Sequence, residues 1–329
     1  MTRYAFVASA CVKYTAEICA LLNSLEQIGN KHDFHLIGYK LPPEFVAQFD
    51  QLSYTVHYYD VPEAEARQYG GESEILCRKR YWYAAEWGKH YEAICLSDAD
   101  ICMVRPVDHY FEIAAKCKLI LGPNLEQKKV YGSHEHQNYG GLNRFPIPIW
   151  NEKDMSCTPM FIDAKEYEAH LKDSWNIFAN GFPDTNFRAP DQESLNSLLL
   201  ERGLNERKMY IPNLQFLGTN EGHLKPYQRV TVQNDGLLWT ESGMPIFMIH
   251  GAFYHAVWRK QQILNRHGCA EGYLGYSFNS DNMAKGAMNC LYEYFKKCLS
   301  GPIKIDTTKA YRNNGNPDYT SEELKEVLV

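Results

Sequence analysis

Apolar positions in the first part of the chain alternate between short β-rich runs and stripes at helical spacing. Tyr4 to Ala10 reads as a strand. Ala16 to Gly29 places Ile18, Leu21, Leu22, Leu25 and Ile28 on one helical face, with Gly29 as its stop. Phe34 to Tyr39 predicts a second strand, Pro42-Pro43 the start of a short helix, and Thr55 to Tyr59 a third strand. Tyr81 to His90 has a helical pattern, Ala93 to Leu96 is a short buried strand, and Lys118 to Gly122 is another. Strands alternating with helices predict an α/β fold, with a mostly parallel central sheet flanked by crossover helices.

The pattern then becomes irregular. From Pro123 to Lys153 periodicity is lost while Gly, Asn, His and Pro gather, and Asn180 to Pro190 is a second such stretch. Long irregular segments inside a compact domain are usually functional or mobile. Between and beyond them, Met160 to Asp163 reads as a strand, Lys165 to Asn176 as a helix, and Asp191 to Gly203 as a helix closed by glycine. Ile246 to Ile249 is a last apolar strand ending at His250. Ala284 to Leu299 predicts a helix with Lys285, Lys296 and Lys297. These lysines form no concentrated basic face, so the helix is expected to pack on the domain rather than on a membrane. The tail after Thr307 is polar and expected to be loosely held.

Composition narrows the possible functions. At 329 residues the chain suits one large domain or two modest ones. A net charge of −6 with no basic stripe argues against nucleic acid as a partner. No apolar run approaches the roughly 20 residues of a membrane span. The start, Met1 to Val7, is too short in its apolar stretch for a secretory signal. The 10 cysteines form no Cys-x-x-Cys pair and the chain has no Asn-x-Ser/Thr sequon, so reduced thiols in a cytoplasm are expected rather than structural zinc. The 23 tyrosines and 6 tryptophans suit flat polar ligands such as sugars and bases, though aromatics also fill cores.

Candidate chemistry gathers at the ends of predicted strands, where open α/β sheets bind ligands. Asp98 and Asp100 stand where the Ala93 strand runs out, and side chains at i and i+2 of an extended segment point the same way. The two carboxylates could therefore hold one hard divalent ion such as Mg²⁺ or Mn²⁺. The same two residues could equally form a solvated turn. Asp191-Gln192 opens a helix, where Asp191 could also be an N-terminal cap. His250 closes its strand either as a ligand or as a hydrogen-bonded structural residue. His134 and His136 lie in the first irregular segment, which is read as cleft lining rather than a metal site.

In order and spacing, these segments resemble family 8 glycosyltransferases, the group of glycogenin and bacterial lipopolysaccharide galactosyl- and glucosyltransferases. The resemblance rests on Tyr14 through Asn23-Ser24-Leu25, on Arg80 to Val104 with Leu96-Ser97-Asp98-Ala99-Asp100, and on Pro106 to Phe111. It continues through Asp191-Gln192-Glu193-Ser194-Leu195-Asn196 and the spacing of His250 to Trp258. It implies a GT-A fold that takes a nucleotide sugar, usually a UDP-hexose, with Mn²⁺ (Mg²⁺ being possible). By carry-over Asp98, Asp100 and His250 are the metal ligands. Val7, Ala8 and Ser9 lie under the nucleotide with Ala99 beside the metal pair, and Tyr14 stacks on uracil. Arg80 reaches the phosphates or sugar, with Arg78 and Lys79 as competitors for that role. Asp191 orients the donor or acceptor, and Gln192 faces the anomeric carbon in a reaction that retains configuration. Residues 1–265 would form the GT-A domain, with a donor half of about 1–122 and an acceptor half of about 123–265. Residues 266–329 would add a helical extension and tail. The acceptor, whether glycan, lipid-linked or protein, is unspecified.

The chain departs from the family pattern in three places. Phe253 and Ala256 stand where Gly and a diphosphate-binding Lys are expected, leaving His255, Arg259 or Lys260 as substitutes. Ser156-Cys157-Thr158 stands where the family has Asn-x-Gly, and Ser97 replaces a common Asp or aromatic before the metal pair. An inverting GT-A transferase with Asp191 as base, and a catalytically silent nucleotide-sugar-binding protein, are the competing readings.

Overall fold

The computed structural model of the protein describes residues 3–68, 73–123, 155, 157–181, 190–211, 215–217, 230–232, 236–240, 243–250, 294 and 297–305. Strand β1 (Tyr4–Cys11) lies inside a seven-stranded sheet whose order is β3-β2-β1-β4-β7-β6-β8. Its members are β2 (Asp33–Tyr39), β3 (Val56–Asp60), β4 (Ala93–Ser97), β6 (Ile120–Gly122), β7 (Met160–Ile162) and β8 (Lys208–Tyr210). The β1–β2, β1–β4, β2–β3 and β6–β8 pairs are parallel, and β7 runs antiparallel to both β4 and β6.

Every residue of β1 is buried, as a strand covered on both faces must be. One face carries α1 (Thr15–Gln27) and α5 (Asp108–Cys117): Phe6 and Ala8 pack there with Ile18, Leu21, Leu22, Leu25 and Phe111. The other carries α4 (Ser73–Gly88), backed by α6 (Glu168–Gly181) and α7 (Pro190–Glu201), and there Val7 belongs to one buried cluster with Tyr81, Ala84, Leu171, Leu195 and Leu199. The expected α/β architecture is present. Gly29 ends α1 with φ 70°, a conformation that favours glycine.

Several elements exceed the pattern-based expectation. Helix α4 begins at Ser73 rather than Tyr81, because its first turns include charges that break the apolar stripe and find partners only in the fold. Lys79 Nζ, for example, lies 2.5 Å from Glu65 Oε1, and Tyr83 donates to the same carboxylate oxygen at 2.6 Å. Glu65 belongs to a separate short helix, α3 (Glu63–Gln68), that precedes α4. Helix α6 begins at Glu168 rather than Lys165. Asp163 Oδ1 accepts the Lys165 and Glu166 amides at 3.0 Å, holding a turn ahead of the helix. The short helix opened by Pro42-Pro43 is α2 (Pro43–Val46).

Beside the main sheet, β5 (Ile101–Met103), β9 (Gln215–Leu217) and β12 (Met248–His250) form a three-stranded sheet in the order β5-β12-β9. Strands β10 (Val230–Val232) and β11 (Leu238–Thr240) form an antiparallel pair. Three-residue strands offer too few positions for period-2 alternation to register in sequence.

The described part of the C-terminal segment packs on α1. Tyr294, Cys298, Leu299, Ile303 and Ile305 share the core cluster of α1 and β1. Asn23 grips Ile303 twice: its Nδ2 donates to the Ile303 carbonyl at 2.8 Å and its Oδ1 accepts the Ile303 amide at 3.0 Å. A Cβ on Gly301 would fall 2.3 Å from Asn23 Cγ, so only glycine admits this approach. Asn23→Ala should leave both Ile303 groups without this partner and lower stability by about 2–4 kcal/mol in urea unfolding.

At the amino ends of the strands, His35 is buried against the rings of His57 and Trp87. Tyr91 donates to Asp33 Oδ2 at 2.8 Å, so its oxygen accepts from His35 Nε2, also at 2.8 Å, which sets a neutral Nε2–H tautomer. Burial, then His57 and His90, lower the His35 pKa to about 4, with Asp33 opposing. The unfolded chain therefore takes up a proton below about pH 6.5 that the folded chain refuses until about pH 4. Stability should fall as pH drops through that window. Denaturant midpoints at pH 7 and pH 5 should show roughly 2 kcal/mol less acid loss in His35→Phe than in the parent.

Candidate metal centre

Strand β4 pairs with β1 through Ser97 opposite Ala8, so the next residue, Asp98, emerges at the carboxyl edge beside Ser9. The chain then turns through Ala99 and Asp100 and enters β5 in the second sheet. The expectation of an extended Asp-x-Asp is therefore corrected: the carboxylates converge through a turn between two sheets. The Ser97 hydroxyl supports the turn by donating to the Asp98 carbonyl at 3.0 Å. The turn is not an open solvated one either. Side-chain exposure is 31% for Asp98, 27% for Asp100 and 14% for His250.

Backbone pairing brings the third residue across the chain. Strands β5 and β12 are antiparallel with His250 opposite Ile101, next to Asp100. Met103, at the far end of β5, is held from two sides: its amide donates to Ser24 Oγ at 2.8 Å and its carbonyl accepts Tyr294 Oη at 2.6 Å. His250 Nε2 then lies 3.1 Å from Asp98 Oδ2 and 3.5 Å from Asp100 Oδ1. One ligand atom from each of the three residues lies within 4.8 Å of the others, the one such His/Cys/Asp/Glu cluster found among the described residues.

The charges are balanced locally. Arg80 Nη1 pairs with Asp98 Oδ1 and donates to the Ser97 carbonyl at 3.3 Å. Thr158 Oγ1 donates to Asp98 Oδ2 at 2.5 Å. Burial disfavours the Asp98 carboxylate, but Arg80, followed by His250 and Thr158, outweighs it and holds the pKa well below the usual carboxylate range. Burial likewise disfavours a charged His250, yet Asp100 and Asp98 push its pKa up to about 10. A proton on Nε2 and a cation are thus alternative partners for the same two carboxylates. Two carboxylate groups and one imidazole suit a divalent ion such as Mn²⁺, which prefers oxygen ligands and also accepts nitrogen.

No protein-family model and no curated protein sequence matches the chain. Solved structures do. The apo structure of the bifunctional glycosyltransferase WbbM aligns with a TM-score of 0.55 at 13% identity, covering 76% of this chain and 46% of that one. The galactosyltransferase LgtC, solved with donor and acceptor sugar analogues, aligns at 0.54 and 13%, covering 86% of this chain and 99% of that one. An active-site glutamine-to-glutamate mutant of LgtC aligns at 0.53 and 14%, covering 80% and 95%. The chain has the GT-A glycosyltransferase fold. It spans about half of the WbbM chain and nearly all of LgtC.

Within this GT-A frame the remaining predicted residues can be placed. Arg80 faces Asp98, whereas Lys79 pairs with Glu65, which separates these two competitors. Val7, Ala8 and Ser9 are buried in β1, Val7 and Ala8 on opposite faces, and Ala99 is buried in the turn. Tyr14 lies half-buried in the turn after β1, against both core clusters. Asp191 and Gln192 occupy the first turn of α7, which Pro190 opens. His134, His136, Ser156, Phe253, His255, Ala256, Trp258, Arg259 and Lys260 lie outside the described residues.

Two features escaped the sequence reading. Thr158 stood there only as a departure from Asn-x-Gly, yet its hydroxyl touches Asp98. Asn196, the last residue of the Asp191 box, clamps a backbone: its Nδ2 donates to the Met155 carbonyl at 2.9 Å and its Oδ1 accepts the Met155 amide at 3.2 Å. Lys208 Nζ also donates to that Oδ1 at 2.9 Å, which fixes the amide orientation. Arg80→Met should strand a partly buried carboxylate and lower stability by roughly 2 kcal/mol, measured by urea unfolding in metal-free buffer.

Proposed function

We propose that this protein is a metal-dependent, retaining glycosyltransferase that moves a hexose from a nucleotide sugar to an acceptor. UDP-glucose and UDP-galactose are the favoured donors, and the acceptor is a glycan, a lipid-linked sugar or a protein. The observation carrying this reading is the convergence of Asp98, Asp100 and His250 at the carboxyl edge of a GT-A sheet. Mn²⁺ is the favoured ion, with Mg²⁺ as the alternative, and Asp98, Asp100 and His250 would hold it. Such an ion, when bound, neutralises the charge that develops on a diphosphate leaving group.

The protein's own groups have separate tasks in this reading. Arg80 keeps Asp98 ionised and presents a guanidinium beside it for phosphate or sugar oxygens. Asp191 and Gln192, in the first turn of α7, are proposed to orient the donor hexose and to stabilise positive charge at its anomeric carbon. Gln192 is too weak a nucleophile for a covalent route. Tyr14 is proposed to stack on the base. Seven described cysteines carry free thiols, six of them buried, which supports a reducing cytoplasm. Among the described residues no helix is long and apolar enough to cross a membrane.

The test is metal-dependent release of UDP from UDP-glucose or UDP-galactose. Release should need Mn²⁺ or Mg²⁺ and fall at least about 100-fold in Asp100→Ala. NMR of the product should show the donor's anomeric configuration. Inverted product would remove the retaining mechanism, and no release from any UDP- or GDP-sugar would leave a silent binding protein.

A further inference from the structure

Asp98 is the most heavily engaged member of the cluster, and its partners divide between its two oxygens. Arg80 takes Oδ1, while Oδ2 receives the Thr158 hydroxyl at 2.5 Å and faces His250 Nε2 at 3.1 Å. The Thr158 contact has the length of a charge-assisted O–H···O⁻ bond. Thr158 itself is 5% exposed, so the bond is shielded from competing water. Its backbone position is also secured. Three residues upstream, Met155 is clamped at both backbone groups by Asn196 of α7, which Lys208 of β8 locks in turn. Two residues downstream, Met160 starts β7, paired with Leu96 of β4. The hydroxyl is therefore held on both sides of its segment and aimed at one carboxylate oxygen.

We infer that Thr158 is a positioning residue for the metal centre, its hydroxyl setting the orientation of Asp98 so that Oδ2 meets a divalent cation together with Asp100 and His250. This rests on the proposed metal site. A carboxylate oxygen offers two lone-pair directions. Thr158 occupies one direction on Oδ2, which leaves the other for a cation shared with Asp100 and with His250, whose Nε2 lies 3.1 Å from that oxygen. Arg80 on Oδ1 opposes the bidentate mode, so the pair of donors restricts Asp98 to binding through one oxygen. Hydrogen-bond partners of metal ligands commonly change metal affinity by 10–100-fold.

The experiment is titration of the metal-free protein with Mn²⁺ alone, reading free ion by electron paramagnetic resonance. Parent, Thr158→Val, Thr158→Ser and Asp98→Ala are compared, with a thermal melt of each. Thr158→Val keeps the shape and removes the hydroxyl, and should raise the Mn²⁺ dissociation constant about tenfold. Thr158→Ser restores the donor and should lie within about threefold of the parent. A merely structural threonine would change the melting temperature and leave the dissociation constant unmoved. If the Val variant does not fold, Thr158→Ala in the same titration answers the question. Equal Mn²⁺ affinity in parent and in the folded hydroxyl-less variant, with binding lost in Asp98→Ala, overturns the role of Thr158 alone. No Mn²⁺ binding by the parent overturns the metal site and this inference with it.

Discussion

The antiparallel register of β5 and β12 is the constraint on which the site depends. His250 reaches Asp100 because it pairs opposite Ile101, the residue immediately after Asp100. A shift of one residue would turn the imidazole to the other face of the small sheet. The register is backed by hydrogen bonds from outside the sheet, with Ser24 of α1 and Tyr294 of the C-terminal segment holding both backbone groups of Met103. Asn23, the neighbour of Ser24, ties that segment to α1 through Ile303. A helix near the start of the chain and a segment near its end thus hold the strand that follows the Asp98–Asp100 turn.

Once delivered, the three side chains pose an electrostatic problem that the protein answers with fixed partners. Two partly buried carboxylates a few ångströms apart repel, and each ion is costly to remove from water. Arg80 offsets the charge on one side, a proton or cation shared with His250 offsets it on the other, and the Thr158 hydroxyl adds a neutral donor. These come from α4, β12 and the segment before β7, so the centre forms only when both the large and the small sheet are in place. The donors around the carboxylates are therefore fixed in place by the fold itself, the kind of preorganisation that the proposed metal binding would use.

The motif residues turn out to divide between chemistry and support. Within Asn23-Ser24-Leu25 every side chain is structural: Asn23 docks the C-terminal segment, Ser24 receives Met103, and Leu25 fills the core. In the Asp191 box, Ser194 meets Ser174 of α6 at 2.6 Å, Leu195 is core, and Asn196 clamps Met155. A motif can therefore point to a fold through residues whose side chains hold the scaffold together.

Local pattern alone determined the alternation of strands and helices, the glycine stop of α1 and the placement of Asp98, Asp100 and His250 at strand ends. Each of these follows from periodicity or residue chemistry that needs no distant partner. The start of α4 at Ser73 was hidden because Lys79 and Arg80 interrupt its apolar face, and their partners Glu65 and Asp98 are neighbours only in space. Strands β5 and β9 are too short to show a period, and although β12 showed as an apolar run, their common sheet exists by pairing across the chain. The tertiary structure decided that Asp98 and Asp100 converge through a turn, that Arg80 rather than Lys79 faces them, and that Thr158 donates to Asp98. These outcomes depend on contacts across tens to hundreds of residues, which local sequence does not encode.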